Sequence, residues 1–421
     1  MQIPSLKQQT KQAGIEVVPA PERLWLPLQG YRTVMQPMVK KEQRVLKYQI
    51  VAQGQGAFSS CVHAPVSGKI GDMRQIEGQT YLELINDFYE EQMPIGDVDP
   101  ESLSREELIT VIRNSGIVGS GGAGFPTHVK YQVREGSIHT FIINGVECEP
   151  YLTADYAVAK RNGQQLLQTI DVLQKLIGAA EIVLAFETQN SDLKKLFEQW
   201  KMKMHLPLRC CLVPDSYPQG GELQLIRSVT GKELKKGTLP SSAGIVMSNV
   251  GTIYAIYQAL FEHHPYIERI ITVSGDRASV KGNYRVPIGM PVGDLLHHLN
   301  ISWNPDQMQV ISGGPMMGHK VSGPDCPVSK QSGGILLLDL LASVVSNCIY
   351  CGYCVDVCPQ RLMPLKFVRY AGNAGKLKDY NISDCILCGA CAYSCPAEVP
   401  LMENIIHGQQ LIHPTKTGTH G

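Results

Sequence analysis

Cys348-Ile-Tyr-Cys351-Gly-Tyr-Cys354-Val-Asp-Val-Cys358-Pro359 and Cys385-Ile-Leu-Cys388-Gly-Ala-Cys391-Ala-Tyr-Ser-Cys395-Pro396 repeat one spacing, C-x2-C-x2-C-x3-C-P. Three thiolates, each two residues from the next, can wrap three corners of a cubane within one loop. The fourth, set before a proline that turns the chain away, reaches the neighbouring cluster. The spacing therefore predicts two [4Fe–4S] clusters with crossed ligand sets: Cys348, Cys351, Cys354 and Cys395 for one, and Cys385, Cys388, Cys391 and Cys358 for the other. Gly352 and Gly389 let the loop backbone approach the sulfurs, and Ile349, Val355, Ile386 and Val399 are expected to keep water out. Zinc needs four ligands per site but gives no reason for two proline-terminated runs. Residues 341–421 are thus expected to form an α-helical, dicluster ferredoxin-like domain.

Eight of the 13 cysteines lie in these runs. The others, Cys61, Cys148, Cys210, Cys211 and Cys326, are scattered and expected to be buried, inert thiols. The start, MQIPSLKQQTKQAG, lacks the apolar core of an export signal. So many thiols without such a signal point to metal ligation rather than disulfides. A formal net charge of zero excludes general attraction to nucleic acid or to an anionic membrane surface. The most apolar stretch, Gly334 to Val345, is too short to span a bilayer and is interrupted by Asp339. With 421 residues, 43% of them apolar, the chain can build several compact units.

The first unit, residues 1–98, reads as short strands: Trp25-Leu-Pro-Leu, Val39 to Ile50, Cys61 to Ile70, and Thr80 to Ile85. The pattern from Val39 to Ala52, followed by Ala-Pro-Val-Ser-Gly-Lys-Ile, resembles the flattened barrel of lipoyl and biotinyl domains. Gly54 to Cys61 contains no acceptor lysine, so the role expected is structural. Residues 90–101 are acidic and proline-containing, as linkers are. Ser104-Arg-Glu-Glu107 is a capping box that predicts a helix over 105–114. Strands at 139–144, 181–187 and 208–213 alternate with helices near 155–178, 191–203, 221–229 and 251–263, which predicts a three-layer α/β domain over 102–264. From 265 to 340 a strand, a hairpin, a short helix (Val292 to Leu299) and another strand at 308–312 suggest a small β-grasp unit and connector.

Between those strands and helices lies Ile117-Val-Gly119-Ser-Gly121-Gly122-Ala-Gly124-Phe125-Pro126-Thr127-His-Val-Lys130. It contains G-x-G-x-x-G, but after a predicted helix rather than a strand, unlike the dinucleotide fingerprint. Four glycines within six residues nonetheless free backbone N–H groups to meet an anion, and Lys130 follows as a point charge for phosphate. Downstream, Asn144, Glu147 and Glu149 close a strand with an amide and two carboxylates, groups that suit ring edges and ribose hydroxyls. The plain alternative is a solvated acidic turn.

Gly-Gly-Ala-Gly-Phe-Pro-Thr with a lysine three residues later, then Asn-x-x-Glu-x-Glu-Pro, resembles the flavin- and NADH-binding subunit of respiratory complex I. Asn144-Gly-Val-Glu-Cys-Glu-Pro-Tyr151, Tyr217-Pro-Gln-Gly-Gly-Glu222, Asn249-Val-Gly-Thr252, Gly313-Gly-Pro-Met-Met-Gly318 and Asp325-Cys-Pro-Val resemble the RnfC family, a component of the Rnf ion-translocating oxidoreductase complex. With the cysteine runs and the lipoyl-like start, the resemblance extends over most of the chain in the right order. It implies an α/β multidomain architecture: a lipoyl-like β-barrel sandwich, a Rossmann-like FMN/NADH domain, a β-grasp (SLBB-like) unit and the dicluster domain. It also implies non-covalent FMN over Gly119, Gly121, Gly122, Gly124 and Lys130, with Asn144 and the Asn249–Thr252 turn at the flavin. Glu147, Glu149 and Glu222 are then the candidates for NAD(H), and Phe125 and Tyr151 for stacking on adenine. Departures are Ser120, where the complex I subunit has an arginine, and Lys41-Glu42 and Lys47-Tyr48, where the family shows glycine turns.

The function implied is an electron-entry subunit that oxidises NADH or reduces NAD. It would pass electrons by way of FMN and two [4Fe–4S] clusters to an iron–sulfur partner subunit and ultimately ferredoxin, coupled to ion transport. No side chain need act as general acid or base. The setting implied is peripheral, on the cytoplasmic face of the bacterial plasma membrane, attached through the other Rnf subunits. Two other readings stand beside it: a soluble flavin/iron–sulfur electron carrier, such as a cobalamin reductase or an amino-acid reductase partner, and a ferredoxin-like scaffold without an NADH site.

Overall fold

Ser104 closes the expected capping box: its Oγ accepts the Glu107 N–H at 3.3 Å while Glu107 Oε2 accepts the Ser104 N–H at 2.8 Å, and the helix Arg105–Asn114 begins there. The computed structural model describes residues 3–94, 96, 99–340 and 347–413. The edges of the last expected unit, 341–346 and 414–421, lie outside the described residues.

The alternating segment folds around four parallel strands in the order Leu208–Val213, Glu181–Glu187, Thr140–Gly145, Ile245–Asn249. Side chains alternate between the two faces of this sheet, as the strand period demands. Phe141, Ile143, Ile182, Leu184 and Phe186 join the core under helices Arg105–Asn114, Ala154–Ile177, Ser191–Met204 and Val250–Phe261, whereas Ile142, Ala185 and Met247 pack with Leu225 and Ile226 of helix Glu222–Thr230. Ile245–Asn249 was not expected. It pairs with Thr140–Gly145 on the side away from Glu181–Glu187. The strand order therefore reverses between Thr140–Gly145 and Ile245–Asn249, and ligands of open α/β sheets bind beyond the strand ends at such a reversal.

Ahead of this sheet, two four-stranded sheets enclose a core of Leu24, Leu26, Val51, Val62, Ile70, Leu82 and Leu84. All their pairings are antiparallel. The continuous strand expected over Val39 to Ile50 shrinks to Arg44–Val45, because Glu42 and Tyr48 take left-handed φ values of 70° and 73°. These are the two positions where the family shows glycine turns, and the non-glycine residues adopt left-handed φ values all the same.

A mixed six-stranded sheet follows, ordered Ile15–Val17, Gly282–Pro287, Glu268–Ser274, Gly334–Asp339, Met308–Ser312, His319–Lys320. The apolar stretch that begins at Gly334 is thus a central strand, parallel to Glu268–Ser274 and antiparallel to Met308–Ser312, with Ile335, Leu336 and Leu337 fully buried. Ile15–Val17, expected with the sandwich, instead pairs in parallel with Gly282–Pro287. Around the cysteine runs short helices surround Phe367, Leu377, Ile382 and Ile405. No helix among the described residues is long and apolar enough to cross a membrane.

Candidate cofactor and cluster sites

At the strand-order reversal Asn144 and Asn249 stand opposite each other in register. Asn249 caps the helix Val250–Phe261 by accepting the Gly251 N–H at 2.7 Å, and its amide donates to Asp155 Oδ2 at 2.5 Å. Asn144 accepts the Val146 N–H and donates to the Gly220 carbonyl, both at 2.9 Å.

The glycine loop leans over this crevice. A bridge between Val118 and Pro126 closes its base, and the Gly119 N–H donates to the Phe125 carbonyl at 2.9 Å. Ser120 is the buried anchor. Its N–H donates to Thr252 Oγ1 at 3.0 Å, its hydroxyl meets the Tyr266 hydroxyl at 2.9 Å, and its carbonyl accepts from Arg269 Nη2 at 3.0 Å. Arg269 therefore brings a guanidinium to the loop from a different strand, although Ser120 replaces the arginine seen in complex I.

Beyond Ser120 the loop rises into solvent at Gly121 and Gly122. A Cβ placed on Gly122 would meet nothing within 4 Å, and one on Gly121 would sit 3.2 Å from Asn249 Nδ2. Gly124, at φ 66°, would carry a Cβ into Gln331. Open backbone with no side chain of its own above it is what a phosphate or a flat ring requires, so the loop fits FMN.

The other expected residues divide. Lys130 donates to the Met247 carbonyl at 2.9 Å; burial lowers its pKa, and Glu222 opposes that shift. Glu222 is exposed in the first turn of its helix. Glu147 faces the N-terminus of helix Ala154–Ile177, accepting the N–H groups of Asp155 at 3.2 Å and Tyr156 at 3.4 Å. Burial, then the Asp155 carboxylate, hold its carboxyl well above the usual range. Glu149 accepts the N–H groups of Met316 at 3.1 Å and Met317 at 3.0 Å, so it anchors the Gly313–Gly318 turn. Phe125 packs edge-on with Tyr31 and Phe58 of the sandwich, and Tyr151 donates to Asp276 at 2.9 Å. Both aromatic side chains thus have partners within the protein.

Burial pushes the Glu149 carboxyl up to about 7, against the two N–H groups that favour its ionised form. Its folded pKa lies above the unfolded value of about 4.3, so the folded state binds the extra proton and loses stability as pH rises from there to about 7. Glu149→Gln, which cannot ionise, is expected to gain stability relative to wild type across that window. Paired thermal melts at its two ends check this.

The cysteines gather in two recesses. One is lined by Cys348, Cys351, Cys354 and Cys395, the other by Cys358, Cys385, Cys388 and Cys391. Among the described residues no three or more His, Cys, Asp or Glu side chains close on a point that could hold a single metal ion. Four thiols line each recess together, the donor number that a four-iron group takes. Burial raises the Cys388 thiol to about 11 and the Cys391 thiol to about 12, with Cys385 and Cys358 adding to both shifts. These thiols can ligate iron only as thiolates, so loading the site releases their protons. The donor sets fit iron–sulfur clusters.

The two recesses differ in setting. Tyr217 donates to the Cys388 carbonyl at 2.5 Å, and Lys236 donates to the carbonyls of Cys385 at 2.7 Å and Ser383 at 3.1 Å. Gly389 packs so closely on the Met316 carbonyl that a Cβ would clash. The second run therefore faces the parallel-sheet domain. The first faces outward: Cys351 is exposed, Tyr350 is 69% exposed, and Ile349, expected to shield a cluster, is 62% exposed. Tyr217, Lys236 and Arg269 were missed as site residues. Tyr217 begins a family-like motif, but the sequence carries no local signal for the other two.

Comparison with known proteins agrees with this geometry. Residues 112–258 match the family model described as the Nuo51 FMN-binding domain, 1–84 the RnfC barrel sandwich hybrid domain, and 347–399 the 4Fe-4S dicluster domain. The chain is 34% identical over 375 residues to the C-type subunit of the proton-translocating ferredoxin:NAD(+) oxidoreductase complex of Clostridium ljungdahlii, a match spanning 85% of this chain and 80% of that one. It is 32% identical over 376 residues to the C-type subunit of the ion-translocating oxidoreductase complex of Rhodobacter capsulatus, spanning 86% and 72%. The fold is shared with an NAD+-reducing [NiFe]-hydrogenase in the air-oxidized state, at TM-score 0.55 and 19% identity over 73% of this chain and 63% of that chain. The glycine loop at the strand-order reversal, the paired thiol recesses and these similarities lead to one conclusion: the chain belongs to the RnfC family of the ion-translocating oxidoreductase complexes.

Proposed function

We propose that this oxidoreductase subunit exchanges electrons with NAD(H) at the glycine-loop crevice and with an iron–sulfur partner subunit at the outward-facing cysteine run. FMN would exchange a hydride with the nicotinamide and single electrons with the two clusters, which carry one electron at a time. The chain's residues bind and orient. Gly119, Gly121, Gly122 and Gly124 would present backbone to the flavin, Lys130 would supply positive charge for its phosphate, and Asn144, Asn249 and Thr252 would set the crevice floor. Glu147, Glu149 and Glu222 are assigned to the dinucleotide. Cys348, Cys351, Cys354 and Cys395 are assigned to one cluster, and Cys358, Cys385, Cys388 and Cys391 to the other. The observation that carries the reading is the contact of the second cysteine run with the parallel-sheet domain through Tyr217 and Lys236.

The units we assign are a lipoyl-like sandwich (1–98, less the leading segment through Val17, which pairs with Gly282–Pro287), the FMN/NADH domain (102–264), a β-grasp unit with connector (265–340) and the dicluster domain (341–421). The setting we infer is peripheral, on the cytoplasmic face of the membrane, held there by the other subunits of an ion-translocating Rnf-type complex with ferredoxin as the distant electron partner. The test is purification of the tagged chain from detergent-solubilised native membranes. Co-elution with membrane-spanning subunits is expected. Recovery of the chain alone, in the soluble fraction, overturns the complex and favours a soluble flavin/iron–sulfur carrier.

A further inference from the structure

The segment Ile3–Val17 touches three of the packed units before the chain enters the sandwich. Ile3 packs against the cluster of Met316, Cys388 and Ala390. Ser5 accepts the Tyr151 N–H at 2.9 Å, Thr10 accepts the Asn283 amide at 3.1 Å, and Ile15–Val17 joins the edge of the mixed sheet. Between these points Lys7 enters the end of the parallel sheet. It is 5% exposed, donates to the Glu147 carbonyl, and lies 3.6 Å from the Glu187 carboxylate, itself 2% exposed.

A lysine buried to this degree is matched from within rather than by water, and its loss leaves a buried carboxylate uncompensated. The charged and titratable groups around it are Glu147, Glu149, Asp155, Glu187 and Cys148, whose shifts all register Lys7, with Lys11 beside it. Acidic side chains thus crowd the crevice, and Lys7 is placed among them by a distant part of the chain, as Arg269 is beside Asp155. Among the hydrogen bonds that pin the turn Val146–Tyr151 are those of its Glu147 carbonyl to Lys7, its Glu147 carboxylate to the helix N-terminus, its Glu149 carboxylate to Met316 and Met317, and its Tyr151 N–H to Ser5. Two of these pins belong to the N-terminal segment.

We propose that Lys7 is a positioning residue of the dinucleotide site: bridging the Glu147 carbonyl to Glu187, it holds the Glu147–Glu149 turn in the shape that receives NAD(H). This rests on the proposed NAD(H) site and adds a residue to it that touches neither cofactor nor substrate. Turn displacement on the ångström scale is enough to cost a large factor in productive binding.

The test uses the FMN- and iron-loaded protein under anaerobic conditions. Lys7→Met is expected to raise the NADH concentration needed for half-bleaching of the flavin by at least about tenfold. The bleaching rate at saturating NADH, the flavin and iron contents, and bleaching by dithionite are expected to stay as in wild type. Lys7→Arg is expected to restore most of the affinity. Should Lys7→Met lose its flavin, Lys7→Gln, which keeps a polar N–H but carries no charge to pair with Glu187, is expected to weaken NADH in the same direction. Wild-type affinity in either uncharged variant overturns the proposal. Hydrogen exchange gives an arm independent of NADH: the amides of 146–151 are expected to exchange at least about tenfold faster in Lys7→Met, and unchanged exchange there overturns the role of Lys7. A wild-type protein that NADH does not bleach refutes the NAD(H) site, a different failure from a wild-type-like Lys7→Met.

Discussion

Cys358→Ser is expected to halve the iron of the purified protein, from about eight to about four atoms per chain, and to do so by emptying the site of the other cysteine run. Cys358 follows Cys348, Cys351 and Cys354 in sequence, yet it lines the recess of Cys385, Cys388 and Cys391. Paired substitutions make the crossing measurable. Cys358→Ser with Cys385→Ser removes two ligands of one site and is expected to leave about four iron atoms, whereas Cys358→Ser with Cys348→Ser strikes both sites and is expected to leave almost none. An uncrossed arrangement reverses these two results. The effect on folding is also expected to be large, because thiols from both recesses pack against the core of this domain and metal binding there doubles as folding energy.

Gly122→Val is expected to strip the flavin while leaving the protein's own stability unchanged. No atom lies within 4 Å of the added Cβ, and the backbone at Gly122 is outside the left-handed region, so the folded chain alone has no reason to reject the side chain. A surface change of this kind costs within about 0.5 kcal/mol. A ligand resting on the loop backbone does reject it, and at least about tenfold weaker FMN binding is expected. Gly124→Val gives the contrast. Its φ of 66° and its contact with Gln331 are expected to destabilise the flavin-free protein itself by about 1–3 kcal/mol. Thermal melts with and without FMN, together with FMN titration, separate the two outcomes.

What the sequence made legible was local. The cysteine recesses and the glycine loop are written in spacings of a few residues, and the strands Thr140–Gly145, Glu181–Glu187 and Leu208–Val213 in short apolar runs between helices of clear periodicity. Ile245–Asn249 escaped because its apolar part is only Ile-Val-Met, too short to stand out from the turn before it. Gly334–Asp339 was visible as apolar but not as a strand, since an unbroken apolar run has no period to read. Ile15–Val17 was hidden for a different reason: it pairs with Gly282–Pro287, far along the chain, and three residues of edge strand carry no pattern of their own.

The candidate site divides in the same way. Glu147 and Glu149 were found from their motif, but their partners, the helix N-terminus and the Met316–Met317 amides, depend on packing. Lys7 and Arg269 reach the crevice across separations of more than a hundred residues, 140 for Lys7 to Glu147 and 149 for Arg269 to Ser120. Nothing beside either residue in the sequence marks it as part of a site.

In the function proposed, NAD(H), flavin and clusters form one electron path within this chain. Anaerobic titration of the loaded protein with NADH, followed by flavin absorbance and low-temperature electron paramagnetic resonance, tests it most directly. NADH is expected to bleach the flavin and to bring up signals of reduced iron–sulfur clusters in the same sample. A flavin that stays oxidised with NADH in excess, in protein that dithionite fully reduces, would contradict it.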